Sequence, residues 1–120
     1  IDLYEANALA RLGRDVEADE IYGRLAANPS SLPGATAAVT LAERQLKAGQ
    51  AKAAFDGLSA FTDAGTPHSY WLARGFIALA DACSALGRPE LAREYIISLR
   101  DNYPGNEPDI LSAIKSRLKK

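Results

Sequence analysis

The side chains able to do covalent chemistry in this chain are few and far apart. His68 is the only histidine and Cys83 the only cysteine, so a thiolate activated by an imidazole would have to come from this pair. Both fall on one expected helix, 15 residues apart. At ~1.5 Å per residue that is about 22 Å, far beyond hydrogen-bond reach. The same reasoning separates His68 from Asp81 and Ser84. Cys83 therefore reads as a small core residue, and His68 as a surface residue of a first helical turn. One histidine, with no CxxC or HExxH spacing, cannot supply a histidine-rich metal site. Gly13, Gly49 and Gly87 each follow a helix rather than a strand, so no phosphate-cradling loop is indicated. Asp15, Glu17, Asp19 and Glu20 crowd a helix start, where the helix dipole favours acids. Lys115, Arg117, Lys119 and Lys120 stand at a helix end, where it favours cations. The chain is read as a non-enzyme, with no catalytic residue, metal or cofactor expected.

Composition narrows the class further. A chain of 120 residues is one domain's worth, able to bury roughly two thirds of its unfolded surface. A hydrophobic fraction of 48%, rich in Ala and Leu, argues for a folded helical chain. The net charge of −1 gives no general pull toward nucleic acid or an anionic membrane. No apolar run approaches the ~20 residues of a membrane-spanning helix, because charged residues interrupt each one. A lone cysteine excludes an internal disulfide framework and leaves the compartment open.

The elements follow from apolar spacing and from Gly and Pro punctuation. Asp2 to Leu12 is apolar at Leu3, Ala6, Leu9 and Ala10 and ends at Gly13. A second helix runs from Asp15 through Ile21, Tyr22 and Leu25 and stops at Asn28-Pro29. Asn28 to Gly34 is a loop, with Pro33 able to sit in the next first turn. Ala35 to Ala48 and Gln50 to Thr62 form a second pair divided at Gly49, and Gly57 inside it is expected to mark close packing. Thr66-Pro67 predicts a helix start, with Thr as cap, continuing to about Leu86. Beyond Gly87-Arg88-Pro89 another helix ends at Pro104. After the turn at Gly105-Asn106, Pro108 opens a last amphipathic helix carrying Ile110, Leu111, Ile114 and Leu118 on one side.

Helix, Gly, helix, Pro thus recurs. Ala18 and Ala54 are 36 residues apart, and Ala54 and Ala92 are 38 apart. In the third unit Phe76, Leu79, Ala80, Cys83, Ala92, Ile96 and Pro104 follow the tetratricopeptide spacing W-x2-L-G-x2-Y, A-x3-F, P. The chain resembles that family. Ala38, Leu41, Ala42, Gln45, Ala54 and Leu58 repeat the pattern in the second unit, with Gln45 at an aromatic site and Thr66 at the proline site. The first unit agrees at Ala6, Leu9, Ala18 and Tyr22 but has Asp2 and Glu5 where apolar residues are expected. The resemblance implies an all-α, right-handed superhelical stack of helix-turn-helix repeats at about 1–30, 35–66 and 67–104. A capping helix at about 107–119 would close it.

What such a stack implies is binding of a protein or peptide on the inner face formed by each first helix. Carried over, that face is Leu3, Tyr4, Asn7 and Arg11, then Val39, Thr40, Glu43 and Lys47, then Arg74, Ile77 and Asp81. The same spacing also describes the solvated side of amphipathic helices. The lining mixes both charges with apolar Tyr4, Val39 and Ile77, which suits a peptide and not a nucleic acid. The family subgroup that clamps C-terminal carboxylates uses a Lys and two Asn, of which only Asn7 is present. Tyr70 and Trp71 read as buried packing, or else as an exposed anchor for a partner. A capped C-terminal end and an uncapped first repeat are expected of the C-terminal piece of a longer repeat protein, and the turn Asn102-Tyr103-Pro104-Gly105 followed by an amphipathic closing helix resembles the tail of bacterial tetratricopeptide proteins. Self-association through the open first repeat is the alternative role, and membrane insertion is not expected.

Overall fold

Three helix-to-helix turns in this chain are closed by one and the same hydrogen bond. Arg14 N–H donates to Leu9 O at 2.9 Å, Gln50 N–H to Gln45 O at 2.8 Å, and Arg88 N–H to Cys83 O at 2.9 Å. The residue before each donor is a glycine with φ of 78–79°, a left-handed conformation that carries no Cβ penalty in glycine. The donors lie 36 and 38 residues apart, the interval expected from Ala18, Ala54 and Ala92.

The computed structural model describes residues 2–119. Its three hairpins are α1 (Asp2–Arg11) with α2 (Asp15–Ala26), α3 (Leu32–Lys47) with α4 (Ala51–Ala64), and α5 (Ser69–Ala85) with α6 (Pro89–Asn102). A single helix, α7 (Pro108–Leu118), follows, and no strand occurs among the described residues. Ala6 and Ala18, Ala42 and Ala54, and Ala80 and Ala92 are all buried where paired helices meet. Small side chains there let the helices approach, and Tyr22, Leu58, Leu79 and Ile96 fill the space around them. A leucine at such a site would overpack it by about 1–3 kcal/mol.

α3, α5 and α7 lie side by side, whereas α1 packs on α2 and α2 on α3. Ala35 and Val39 of α3 cluster with Trp71 and Leu72 near the start of α5, while Ala42 and Leu46 cluster with Ala78 and Ala82 further along. α3 and α5 therefore run in the same direction. So do α5 and α7, because Tyr70 meets Asp109 near both starts and Asp81 meets Arg117 near both ends. Ile110 and Ile114 of α7 complete a core with Ala73, Ile77, Ala80, Ile96 and Leu99. Each buried isoleucine is worth about 1.5–3 kcal/mol.

Four local expectations are corrected. α5 starts at Ser69, not Pro67, because the Thr66 hydroxyl accepts the His68 N–H at 3.3 Å and holds the preceding residues in a turn. Leu111 is 47% exposed, since the core takes Ile110 and Ile114 and the next residue is turned about 100° away. Gly57 marks no close packing, as a Cβ there would meet nothing within 4 Å. The glycines in tight contact are Gly34, against the backbone of Asn28, Gly75, where a Cβ would lie 2.8 Å from Phe61 Cε2, and Gly105, against the side chains of Tyr103 and Glu107. α3 also begins one turn before Ala35, because the Ser31 hydroxyl caps it by accepting the Gly34 N–H at 3.0 Å.

Candidate partner-binding groove

Thr40, Glu43 and Lys47 recur at helical spacing along α3, and Ile77, Ala78 and Asp81 along α5. Where the two helices lie side by side, these residues line one open groove of about 430 Å³. Arg44 and Leu46 of α3 and Arg117 of α7 complete it. Its floor is apolar, from Ile77, Ala78 and Leu46, and its charges sit around the edge.

Most of those charges are already engaged between helices. Arg74 Nη2 contacts both Glu43 carboxylate oxygens at 2.7 and 2.9 Å, linking α5 to α3. Arg117 grips Asp81 with two bonds, Nε to Oδ1 at 2.8 Å and Nη2 to Oδ2 at 2.9 Å, linking α7 to α5. Arg44 bridges two carboxylates of α2, Asp19 at 2.7 Å and Asp15 at 2.8 Å, and its guanidinium lies 5.7 Å from the Tyr22 ring centroid. Tyr22 in turn donates its phenol proton to Asn7 Oδ1 at 2.5 Å.

A second cluster sits at the start of α5. The Arg74 guanidinium stacks 5.0 Å from the Trp71 ring and 5.7 Å from the Tyr70 ring. It also donates to the Tyr70 oxygen at 3.0 Å, and Tyr70 donates to Asp109 Oδ2 at 2.5 Å. Burial alone would depress the Arg74 pKa, but the Glu43 and Tyr70 contacts more than restore it, and it rises. The bond to Asp109 pushes the Tyr70 phenol up and holds the Asp109 carboxyl below its usual range. The hydrogen bonds that Arg44 donates to Asp19 and Asp15 likewise raise its pKa.

Of the residues expected to bind a partner, Thr40, Glu43, Lys47, Ile77 and Asp81 come together, with corrections. Val39 is fully buried beneath the groove against Ala35 and Phe61, so it offers a partner nothing. Ile77 is 8% exposed, a floor residue rather than a projecting contact. Arg74, expected to be exposed, is half-buried and paired outside the groove lining. Tyr4, Asn7 and Arg11 of α1 do not line this groove. Tyr4 and Arg11 are exposed, Asn7 is occupied by Tyr22, and Leu3 packs into the Tyr22 cluster. Lys47 makes no ion pair among the described residues.

Sequence reasoning missed Arg44, Leu46, Ala78 and Arg117. A signal for Arg117 exists: Asp81 occupies the repeat position of Glu43, 38 residues on, and Glu43 takes an arginine from α5, two helices on. Tyr70 and Trp71 are half-buried and meet edge to face at 5.3 Å, with Trp71 packed on the Ala35–Val39–Phe61 cluster. Cys83 is fully buried, which pushes its thiol up, and His68 Nε2 lies 3.1 Å from Ser30 O.

Among the described residues no three His, Cys, Asp or Glu side chains are grouped to hold a metal. No helix there is long and apolar enough to cross a membrane. Comparison with models of protein families, with curated proteins and with solved structures finds no match.

Proposed function

We propose that the chain is a protein-interaction module, built as a right-handed tetratricopeptide-like stack, that holds a peptide segment in the groove between α3 and α5. The observation carrying this reading is that Thr40, Glu43 and Lys47 of one repeat and Ile77 and Asp81 of the next line one concavity with an apolar floor. A peptide laid there would set an apolar side chain over Ile77 and Ala78. It would offer an acceptor to Lys47, the one lining cation without an ion pair among the described residues.

Because Glu43, Asp81, Arg44 and Arg117 are neutralised within the fold, affinity should vary only modestly with salt. A protein that neutralises several phosphates would lose orders of magnitude. Binding is the role that such a surface, an apolar floor with an unpaired lysine at its edge, supports.

The test is selection of binders from a random peptide library, followed by titration of the selected peptides against variants. Thr40→Arg fills the groove and Lys47→Glu reverses its unpaired charge, and neither replaces a buried side chain. Both should weaken the selected peptides at least tenfold while leaving the melting temperature in place. Peptides that bind the parent and both variants equally would overturn the assignment of this groove.

A further inference from the structure

α1 and the residue that follows it carry an apolar stripe that has no partner among the described residues. Tyr4, Ala8 and Leu12 follow one another at i, i+4 and i+8, with Tyr4 75% and Leu12 72% exposed. The exposed Arg11 lies on the same helix beside Tyr4 and, like the exposed acids Asp2 and Glu5, forms no ion pair among the described residues. Asp2 and Glu5 stand at the repeat positions that Phe76 and Leu79 hold in α5, so a face that is apolar in the third repeat is acidic in the first.

The opposite end of the molecule is its complement. α6 and α7 enclose an open groove of about 580 Å³, with Tyr103, Leu111, Ile114 and Leu118 as its apolar surface and Lys115 and Lys119 on its rim. Those two lysines make no ion pair among the described residues, and Arg100 beside them pairs only with its neighbour Asp101. The dimensions agree as well as the charges. Tyr4 and Leu12 are separated by about 12 Å along the helix axis, and Leu111 and Leu118 by about 10 Å.

We infer that the chain associates head to tail with a second copy of itself, the α1 stripe of one molecule seated in the α6–α7 groove of the next. Asp2 and Glu5 then face Lys115 and Lys119, and Tyr4 and Leu12 leave water against Leu111 and Leu118. The two surfaces are different patches of the same molecule, so the contact is heterologous. Each added copy presents a fresh groove, and growth does not stop at a dimer unless the rotation closes a ring. This surface is separate from the α3–α5 groove and does not depend on it.

Sedimentation velocity on the full chain tests this over a series of concentrations and salt strengths. The weight-average mass should rise past that of a dimer with concentration and fall toward the monomer as salt screens the lysine–carboxylate contacts. Tyr4→Asp blocks one end and Leu111→Asp the other, both at exposed positions. Each variant alone should remain monomeric with an unchanged helical circular dichroism spectrum. An equimolar mixture should form a dimer and nothing larger, because each partner keeps one working end. Thr40→Arg, which fills the other groove, should self-associate like the parent. A parent that stays monomeric up to millimolar concentration would overturn the inference. So would a mixture of the two blocked variants that stays monomeric while the parent associates.

Discussion

Glu43 on α3 and Asp81 on α5 hold the same place in successive repeats, and each is gripped by an arginine from two helices on, Arg74 on α5 and Arg117 on α7. Arg44 reaches back from α3 to Asp15 and Asp19 of α2 in the same sense. The face read from sequence as a peptide-binding lining is thus largely a ladder of ion pairs between helices. These contacts fix how one hairpin sits on the next, and so fix the shape of the groove. What they leave to a ligand is the apolar floor and Lys47.

Arg74→Glu should therefore destabilise the fold rather than act on binding alone. The pair with Glu43 is partly exposed, with side-chain accessibilities of 30% and 38%, so its own contribution is about 1 kcal/mol at most. Stacking on Trp71 and Tyr70 adds about 0.5–1 kcal/mol, and a new glutamate opposite Glu43 adds repulsion. A loss of about 2 kcal/mol should appear as a clear fall in melting temperature. The exchange Arg74→Glu with Glu43→Arg should restore the pair but not the stacking. An unchanged melt for the single variant would show that the ladder is without consequence.

The closing helix gives a sharper contrast between neighbours. Ile110 is fully buried and Leu111 is 47% exposed. Ile110→Ala should cost about 2–5 kcal/mol, whereas Leu111→Ala should stay within about 0.5 kcal/mol. Urea melts of the two variants measure both. Equal losses would mean that α7 packs through the whole stripe Ile110, Leu111, Ile114 and Leu118 that amphipathic spacing suggested.

Much of the architecture was legible because it rests on local rules. Gly13, Gly49 and Gly87 close the same turn three times, and the alanines that pair the helices recur at the turn interval. The site was less legible, for a physical reason. Helical spacing says which residues share a face, but Val39 is buried and Thr40, beside it, is not, because the rotation of α3 is set by Phe61 and Trp71 across the stack. Nor does spacing say that an arginine 31 or 36 residues away will neutralise a carboxylate. The start of α5 was misplaced because Thr66 can either cap a helix or hold a turn, and here it holds a turn.

Two glycines separate close packing from mere tolerance. A Cβ at Gly75 would lie 2.8 Å from the ring of Phe61, which is only 4% exposed and has little room to retreat. Gly75→Ala should thus cost about 1–3 kcal/mol through overpacking. A Cβ at Gly57 meets nothing, so Gly57→Ala should stabilise α4 by about 0.5–1 kcal/mol through helix propensity. Thermal melts on the pair should move in opposite directions, and movement in the same direction would contradict the packing of α5 on α4.

Alkaline pH should weaken the fold through its tyrosines. Burial raises the Tyr22 phenol, the bond to Asp109 raises Tyr70, and burial together with the hydrogen bond to Glu107 pushes Tyr103 up to about 12. An unfolded tyrosine ionises near pH 10. Below that value both states keep the proton, and the stabilisation is fully present. As pH rises further the unfolded state releases protons that the folded state retains, so stability declines until the folded phenols ionise, for Tyr103 at about 12. Asp109 has the opposite sign. Its folded pKa is depressed by Tyr70, so its contribution is present above about pH 4 and is lost as pH falls through the folded value. Tyr70→Phe removes one partner from both transitions at once. Urea melts across pH should show a shallower alkaline decline and a shallower acid decline in this variant than in the parent. Tyrosinate absorbance should lose its Tyr70 component from the late-ionising group. Equal slopes at both extremes, with the same late-ionising absorbance, would mean that the Tyr70–Asp109 contact between α5 and α7 does not hold in solution.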